Sequence, residues 1–221
     1  MENHVKAVIF DQDGLMFDTE RVSKEAWQIA GEEFGIRLEE SFLCTIRGRN
    51  YDDCTRRFEE VFGAEKDFEP LRRRKREIFL NLLKERGVPV KPGLKELLVW
   101  LKEHGFKTVL ATASTKEYSM GNLKETGIEA YFDGMITGDM VEQAKPNPQI
   151  FCRAAEMVGE QPEHCLVLED SINGVEAGLR GGFVTVMVPD LTQPDDVLRS
   201  RVRAVCGSLL EVKELLEQGA L

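Results

Sequence analysis

The chain has 221 residues, of which 42% are hydrophobic and 31% charged, a composition that fills a folded core and excludes a disordered chain. Twenty-nine Lys and Arg stand against 39 Asp and Glu, a net charge of −10 that repels phosphate backbones and argues against nucleic-acid partners. No apolar run approaches the roughly 18 residues of a membrane span, and the chain start lacks a signal-peptide pattern. With five scattered cysteines and no Cys-x-x-Cys pair, the expectation is a cytoplasmic protein with reduced thiols and no membrane partner.

In chain order, Val5, Ala7, Val8, Ile9 and Phe10 form a nearly continuous apolar run, which predicts a strand buried on both faces. Residues 18–90 carry helical patterns near 19–34, 39–46, 51–62 and 67–86 and no good strand. That stretch predicts an inserted helical cap domain, with residues 1–17 and 91–221 forming the core. Within it Trp27, Val22, Ala26, Ala30 and Phe34 read as cap core, and Cys44 and Cys54 as small core residues. The run Arg72–Arg76 reads as a solvated face whose stems cover apolar surface. Gly87, Pro89, Pro92 and Gly93 break helices and mark the return hinge. Short apolar runs follow at Thr108–Ala111, Met135–Thr137, Cys165–Leu168 and Val184–Val188. Helical patterns at Gly93–His104, Pro148–Val158, Ile172–Arg180 and Leu209–Glu217 lie between and after them. Alternating strands and helices predict an α/β fold with a Rossmann-like parallel sheet.

Ligands of such sheets bind beyond the carboxyl ends of the strands. The first strand delivers Asp11 and Asp13 there, the second Thr112-Ala113-Ser114, and the fourth Glu169-Asp170. Lys145 stands in Lys145-Pro146-Asn147-Pro148, just ahead of a helix start. Four carboxylates converging on one sheet edge need a cation, and an oxygen-only donor set suits a hard ion, most plausibly Mg²⁺. Asp11 and Asp170 are the expected direct ligands, with the Asp13 backbone carbonyl a third and Glu169 acting through water. Thr112, nearby backbone N–H groups and Lys145 form an anion pocket beside the metal, the layout that phosphoryl transfer requires.

Phe10-Asp11-Gln12-Asp13-Gly14, Leu110-Ala111-Thr112-Ala113-Ser114, Lys145-Pro146 and Leu168-Glu169-Asp170-Ser171 resemble the four ordered motifs of the haloacid dehalogenase (HAD) superfamily. The helical segment between the first two resembles the small cap of the subgroup that holds sugar-phosphate phosphatases and β-phosphoglucomutase. The resemblance implies that Asp11 is the nucleophile and forms an aspartyl-phosphate. It implies that Asp13 is the acid for the leaving alcohol and then the base for water. Thr112 and the Ala113 N–H would bind the phosphoryl group, Lys145 would stabilise its charge, and Glu169 and Asp170 would hold Mg²⁺. The expected activity is hydrolysis of a small phosphorylated metabolite, a sugar or nucleoside phosphate, by a monomer.

Two alternatives stay open. A β-phosphoglucomutase-type phosphotransferase would share this core, but such enzymes resemble His-x-x-x-Trp at the cap start, where this chain has Ser23 before Trp27. Their Lys-Gly-x-Ser-Arg loop reads Arg47-Gly48-Arg49-Asn50-Tyr51 here, with Tyr51 at the Arg position. Arg47 and Arg49 are candidate substrate contacts, or else a basic surface turn. A non-enzymatic phospho-Asp switch would use a similar acidic pocket and lysine, and an inserted cap argues against it.

Overall fold

The computed structural model describes residues 5–47 and 51–221. The chain divides into two compact units, one of Met1–Asp18 with Val90–Leu221 and one of Thr19–Pro89.

The first unit is built on a six-stranded sheet. Its strands are β1 (Ala7–Phe10), β2 (Lys107–Thr112), β3 (Gly134–Thr137), β4 (Cys165–Glu169), β5 (Val184–Met187) and β6 (Ala204–Val205). All neighbouring strands run parallel, in the order β3-β2-β1-β4-β5-β6. Strand order therefore reverses beside β1, between β2 and β4, and such a switch point opens a crevice beyond the carboxyl ends. Every residue of β1 is buried, the physical basis of its unbroken apolar sequence. Ala7 and Ile9 pack with Val109, Val167 and helix residues Ile150, Phe151 and Ala154. Val8 and Phe10, alternating with them, face the other side of the sheet.

The helices around this sheet are α5 (Leu94–Glu103), α6 (Lys116–Glu125), α7 (Gln149–Val158), α8 (Ile172–Arg180), α9 (Asp196–Arg201) and α10 (Leu209–Glu217), following four in the second unit. Helix α5 buries Leu94, Leu97, Leu98 and Leu101, the stripe its sequence spacing predicts. Three elements have no counterpart in the sequence reading: α6, α9 and β6. In α6 the inward residues are Ser119, Asn122 and Leu123, so two of its three buried positions are polar and the apolar period is hidden. Helix α9 buries only Leu198, and β6 has two residues.

The second unit holds α1 (Thr19–Glu33), α2 (Glu40–Ile46), α3 (Tyr51–Phe62) and α4 (Phe68–Arg86). Its core gathers Ala26, Ala30, Leu43, Ile46, Phe58, Leu71 and Ile78, with Val22, Trp27 and Cys54 against it. Helix α4 starts where the Asp67 carboxylate accepts a bond from the Glu69 N–H at 3.0 Å, satisfying one orphan donor of its first turn. Two expectations are corrected here. Phe34 is 43% exposed, because it follows the last turn of α1 and leaves the apolar stripe. Cys44 is also exposed, since in α2 its neighbours Phe42, Leu43 and Ile46 occupy the inward face. The basic run is largely taken up locally: Arg72 pairs with Glu69, Arg74 with Glu33 and Glu77, and Lys75 lies over Trp27 and Phe79.

Candidate active site

The site residues all come from segments that leave the carboxyl ends of the strands in the first unit. Asp11 follows β1 directly, and its N–H donates to the Leu168 carbonyl of β4 at 3.1 Å. The chain then turns sharply. The Gln12 carbonyl accepts from the N–H groups of Met16 and Phe17, and the Gly14 N–H donates to the Phe17 carbonyl. Gly14 has φ of 93°, and a Cβ there would overlap the Asp170 carboxylate. Only glycine combines that backbone with that proximity. Gly14→Ala is therefore expected to cost about 1–3 kcal/mol of stability and to displace Asp170. An unchanged thermal melt would show that the Asp170 side chain yields freely.

Strand β4 delivers Glu169 and Asp170 against this turn. Ser171 caps α8 by accepting from the Gly174 N–H at 3.1 Å. Its own N–H and Oγ both donate to Glu169 Oε2 at 2.9 Å. Gly174 leaves room for this, because a Cβ there would collide with Glu169 Oε1. Lys145 arrives on a loop held by Gln149, whose Oε1 accepts from the N–H groups of Glu142 and Gln143 at 2.8 and 2.9 Å. Its ammonium donates to Asp11 Oδ1 and to Glu169 Oε1, each at 2.6 Å, and to the Ala111 carbonyl at 3.3 Å.

Asp11, Glu169 and Asp170 each present an oxygen within 4.8 Å of the others, and all three residues are buried. With all three carboxylates ionised and Lys145 protonated, the cluster would carry a balance of −2. Burial pushes the Asp11 carboxyl up, to about 8; Lys145 opposes this and Glu169 and Asp13 add to it. Lys145 is held above the ordinary lysine value, because the charges of Asp11 and Glu169 outweigh the opposing effect of burial. An all-oxygen, buried cluster of three carboxylates fits a hard divalent cation such as Mg²⁺, which would neutralise it.

Asp13 stands apart from this cluster. Its Oδ2 accepts from Ser114 Oγ at 2.7 Å and from Gln12 Nε2 at 3.2 Å, and its Oδ1 from the Tyr118 hydroxyl at 3.2 Å. Thr112 ends β2 with a buried hydroxyl that accepts from the Ser114 N–H at 3.1 Å. Ala113 follows on an exposed turn. Sequence reasoning assigned no role to Gln12, Ser114, Tyr118 or Ser171. Three of these lie inside the quoted motifs and could have been weighed there; Tyr118 lies on the unpredicted α6.

Of the two cap candidates, Arg49 lies outside the described residues. Arg47 is paired with Glu40 at 2.8 Å and with Glu20 at 3.5 Å. It also lines a cavity of about 400 Å³ within the second unit, together with Ser23, Lys24, Trp27 and Arg73. Among the described residues no helix is long and apolar enough to cross a membrane.

A family model for haloacid dehalogenase-like hydrolases matches residues 5–182, a span that includes all four motif segments. The chain belongs to the haloacid dehalogenase-like hydrolases. It is 32% identical to the phosphorylated carbohydrates phosphatase of Thermotoga maritima, over 98% of this chain and 93% of that one. It is 28% identical to the fructose-1-phosphate phosphatase YqaB of Escherichia coli, over 85% and 98% of the two chains. In fold this HAD-like hydrolase is similar to the crystal structure of β-phosphoglucomutase from Clostridium difficile, with a TM-score of 0.79 at 23% identity, covering 98% of this chain and 97% of that one.

Proposed function

We propose that this HAD-like hydrolase is a Mg²⁺-dependent phosphomonoesterase that acts on a small phosphorylated carbohydrate or nucleoside phosphate through an aspartyl-phosphate on Asp11. The observation that carries the reading is the division of labour between two carboxylates. Asp11 is locked to Lys145 inside a buried acidic cluster. Asp13, two residues on, is held by neutral side chains outside it.

In the first half-reaction an Asp11 carboxylate oxygen attacks phosphorus. The bond from phosphorus to the ester oxygen breaks, its electron pair goes to that oxygen, and Asp13 supplies the proton that makes the leaving alcohol. In the second half-reaction a water oxygen attacks the same phosphorus while Asp13 takes the water proton. The bond to Asp11 breaks, its electron pair returns to the carboxylate, and phosphate is released. Lys145 holds Asp11 in place and offsets charge on the phosphoryl oxygens. The Thr112 hydroxyl and the Ala113 N–H are suited to donate to those oxygens. Asp11 and Asp170 with the Asp13 carbonyl would hold Mg²⁺, with Glu169 reaching it through water; when bound, the ion neutralises charge on the transferring group. An inserted cap in such an enzyme serves to exclude bulk water from the chemistry, and Arg47 and Arg49 are candidate contacts to the rest of the substrate. The names of the two phosphatase relatives support a carbohydrate phosphate as the first substrate class to test.

The test is phosphate release from a panel of sugar and nucleoside monophosphates, with Mg²⁺ and with chelator. Release that needs Mg²⁺ is the expected result. Isomerisation of β-glucose 1-phosphate without net phosphate release would replace the hydrolase by a mutase.

A further inference from the structure

Gln12 lies between Asp11 and Asp13, and its side chain is completely buried. Its Nε2 donates to Asp13 Oδ2 at 3.2 Å, while its Oε1 is buried with no hydrogen-bond partner among the described residues. A buried carbonyl left unpaired is a cost that an apolar residue of similar size would avoid. Stability therefore does not account for an amide at this position.

The hydrogen bonds to Asp13 suggest what does. Oδ2 receives two donors, Gln12 Nε2 and Ser114 Oγ. An amide nitrogen only donates, so Gln12 holds Oδ2 as its acceptor, and Ser114 Oγ adds a second bond to the same oxygen. Oδ1 faces the Tyr118 hydroxyl, which can donate into one lone pair or turn and accept. We propose that Gln12 is a positioning residue for Asp13: with Ser114 it anchors Oδ2 and so fixes the orientation of the carboxyl group. This rests on the hydrolase reading, in which Asp13 gives a proton to the leaving oxygen and recovers one from water. Gln12 acts through the orientation of the Asp13 carboxyl.

The consequence is selective for leaving group. A p-nitrophenolate departs without a proton, whereas an alkoxide does not, so a misplaced acid harms alkyl esters far more than aryl esters. The experiment compares Gln12→Met with wild type on p-nitrophenyl phosphate and on the alkyl phosphate that wild type hydrolyses fastest, with Mg²⁺, alongside thermal melts. The expected result is a kcat on the alkyl ester that falls about tenfold further than on the aryl ester. KM is expected to hold for both, and the melting temperature to be unchanged or raised. Ser114→Ala, which removes the other Oδ2 donor from a half-buried turn, is expected to shift the same ratio in the same direction. This second variant keeps the test decisive if Gln12→Met folds poorly. Equal losses on the two esters, or no loss on either, would overturn the inference. Wild type that releases phosphate from neither ester would overturn the hydrolase reading itself, and the inference with it.

Discussion

Asp11→Asn is expected to abolish phosphate release, by about 10⁴-fold or more, and at the same time to stabilise the metal-free protein at pH 8. The first effect follows from loss of the proposed nucleophile. The second follows from the acidic cluster. Burial, with Glu169 and Asp13 nearby, moves the Asp11 carboxyl from 3.8 up to about 8 despite Lys145. Between those values the folded state holds a proton that the unfolded chain releases. Stability then falls as pH rises through that window, and the loss is complete only above the folded value. Asn cannot ionise and escapes this loss. In chelator the variant is expected to gain on wild type steadily from pH 5 to pH 8, reaching about 1–3 kcal/mol, since Asn also weakens the bond to Lys145. Added Mg²⁺ is expected to stabilise wild type more than the variant, because an ion held by the Asp11 carboxylate would take the place of the proton. Urea unfolding at several pH values checks both halves. A variant that is less stable than wild type in chelator at pH 8 would mean that Asp11 is not under charge strain.

Lys145→Met has the opposite sign for stability. The wild-type ammonium is bonded to Asp11 and Glu169 at 2.6 Å each and has 9% of its side chain exposed. Removing it leaves three buried carboxylates with no ammonium at their centre. The expected cost in chelator at pH 8 is about 3–5 kcal/mol, the range for breaking a buried pair by deleting one partner. The cost is expected to shrink toward pH 5, where the Asp11 carboxyl holds a proton, and in part on adding Mg²⁺. Turnover is expected to fall by about 10³-fold, since on the proposed mechanism a charge aimed at the transferring group is lost. Lys145→Arg is expected to rescue poorly, because a planar guanidinium does not fit where a compact ammonium bridges two single oxygens. Denaturation curves that match wild type at both pH values would mean the carboxylates are neutralised without Lys145.

Much of the fold was legible because burial leaves a periodic trace. The β1 run is unbroken because both of its faces are covered, and the α5 leucines repeat because one face is. The trace fails where the buried residues are polar. Helix α6 turns Ser119 and Asn122 inward, so nothing in its sequence announced a helix, and with it Tyr118 was missed. The site was legible in a different way. A strand end identifies which residues reach the crevice, and Asp11, Thr112, Glu169 and Asp170 stand at or beside strand ends.

What the sequence by itself determined is the set of elements and the chemical types carried to one edge of a parallel sheet, because alternation and helical spacing are properties of the local chain. Only the tertiary structure decided which of those groups meet. Lys145 reaches Asp11 across 134 residues, and Ser114 reaches Asp13 across 101. Such contacts depend on strand order, on register and on the course of each loop. The same holds for the unpaired carbonyl of Gln12. Its burial and its lack of a partner belong to the packing around it and leave no mark in the spacing of residues along the chain.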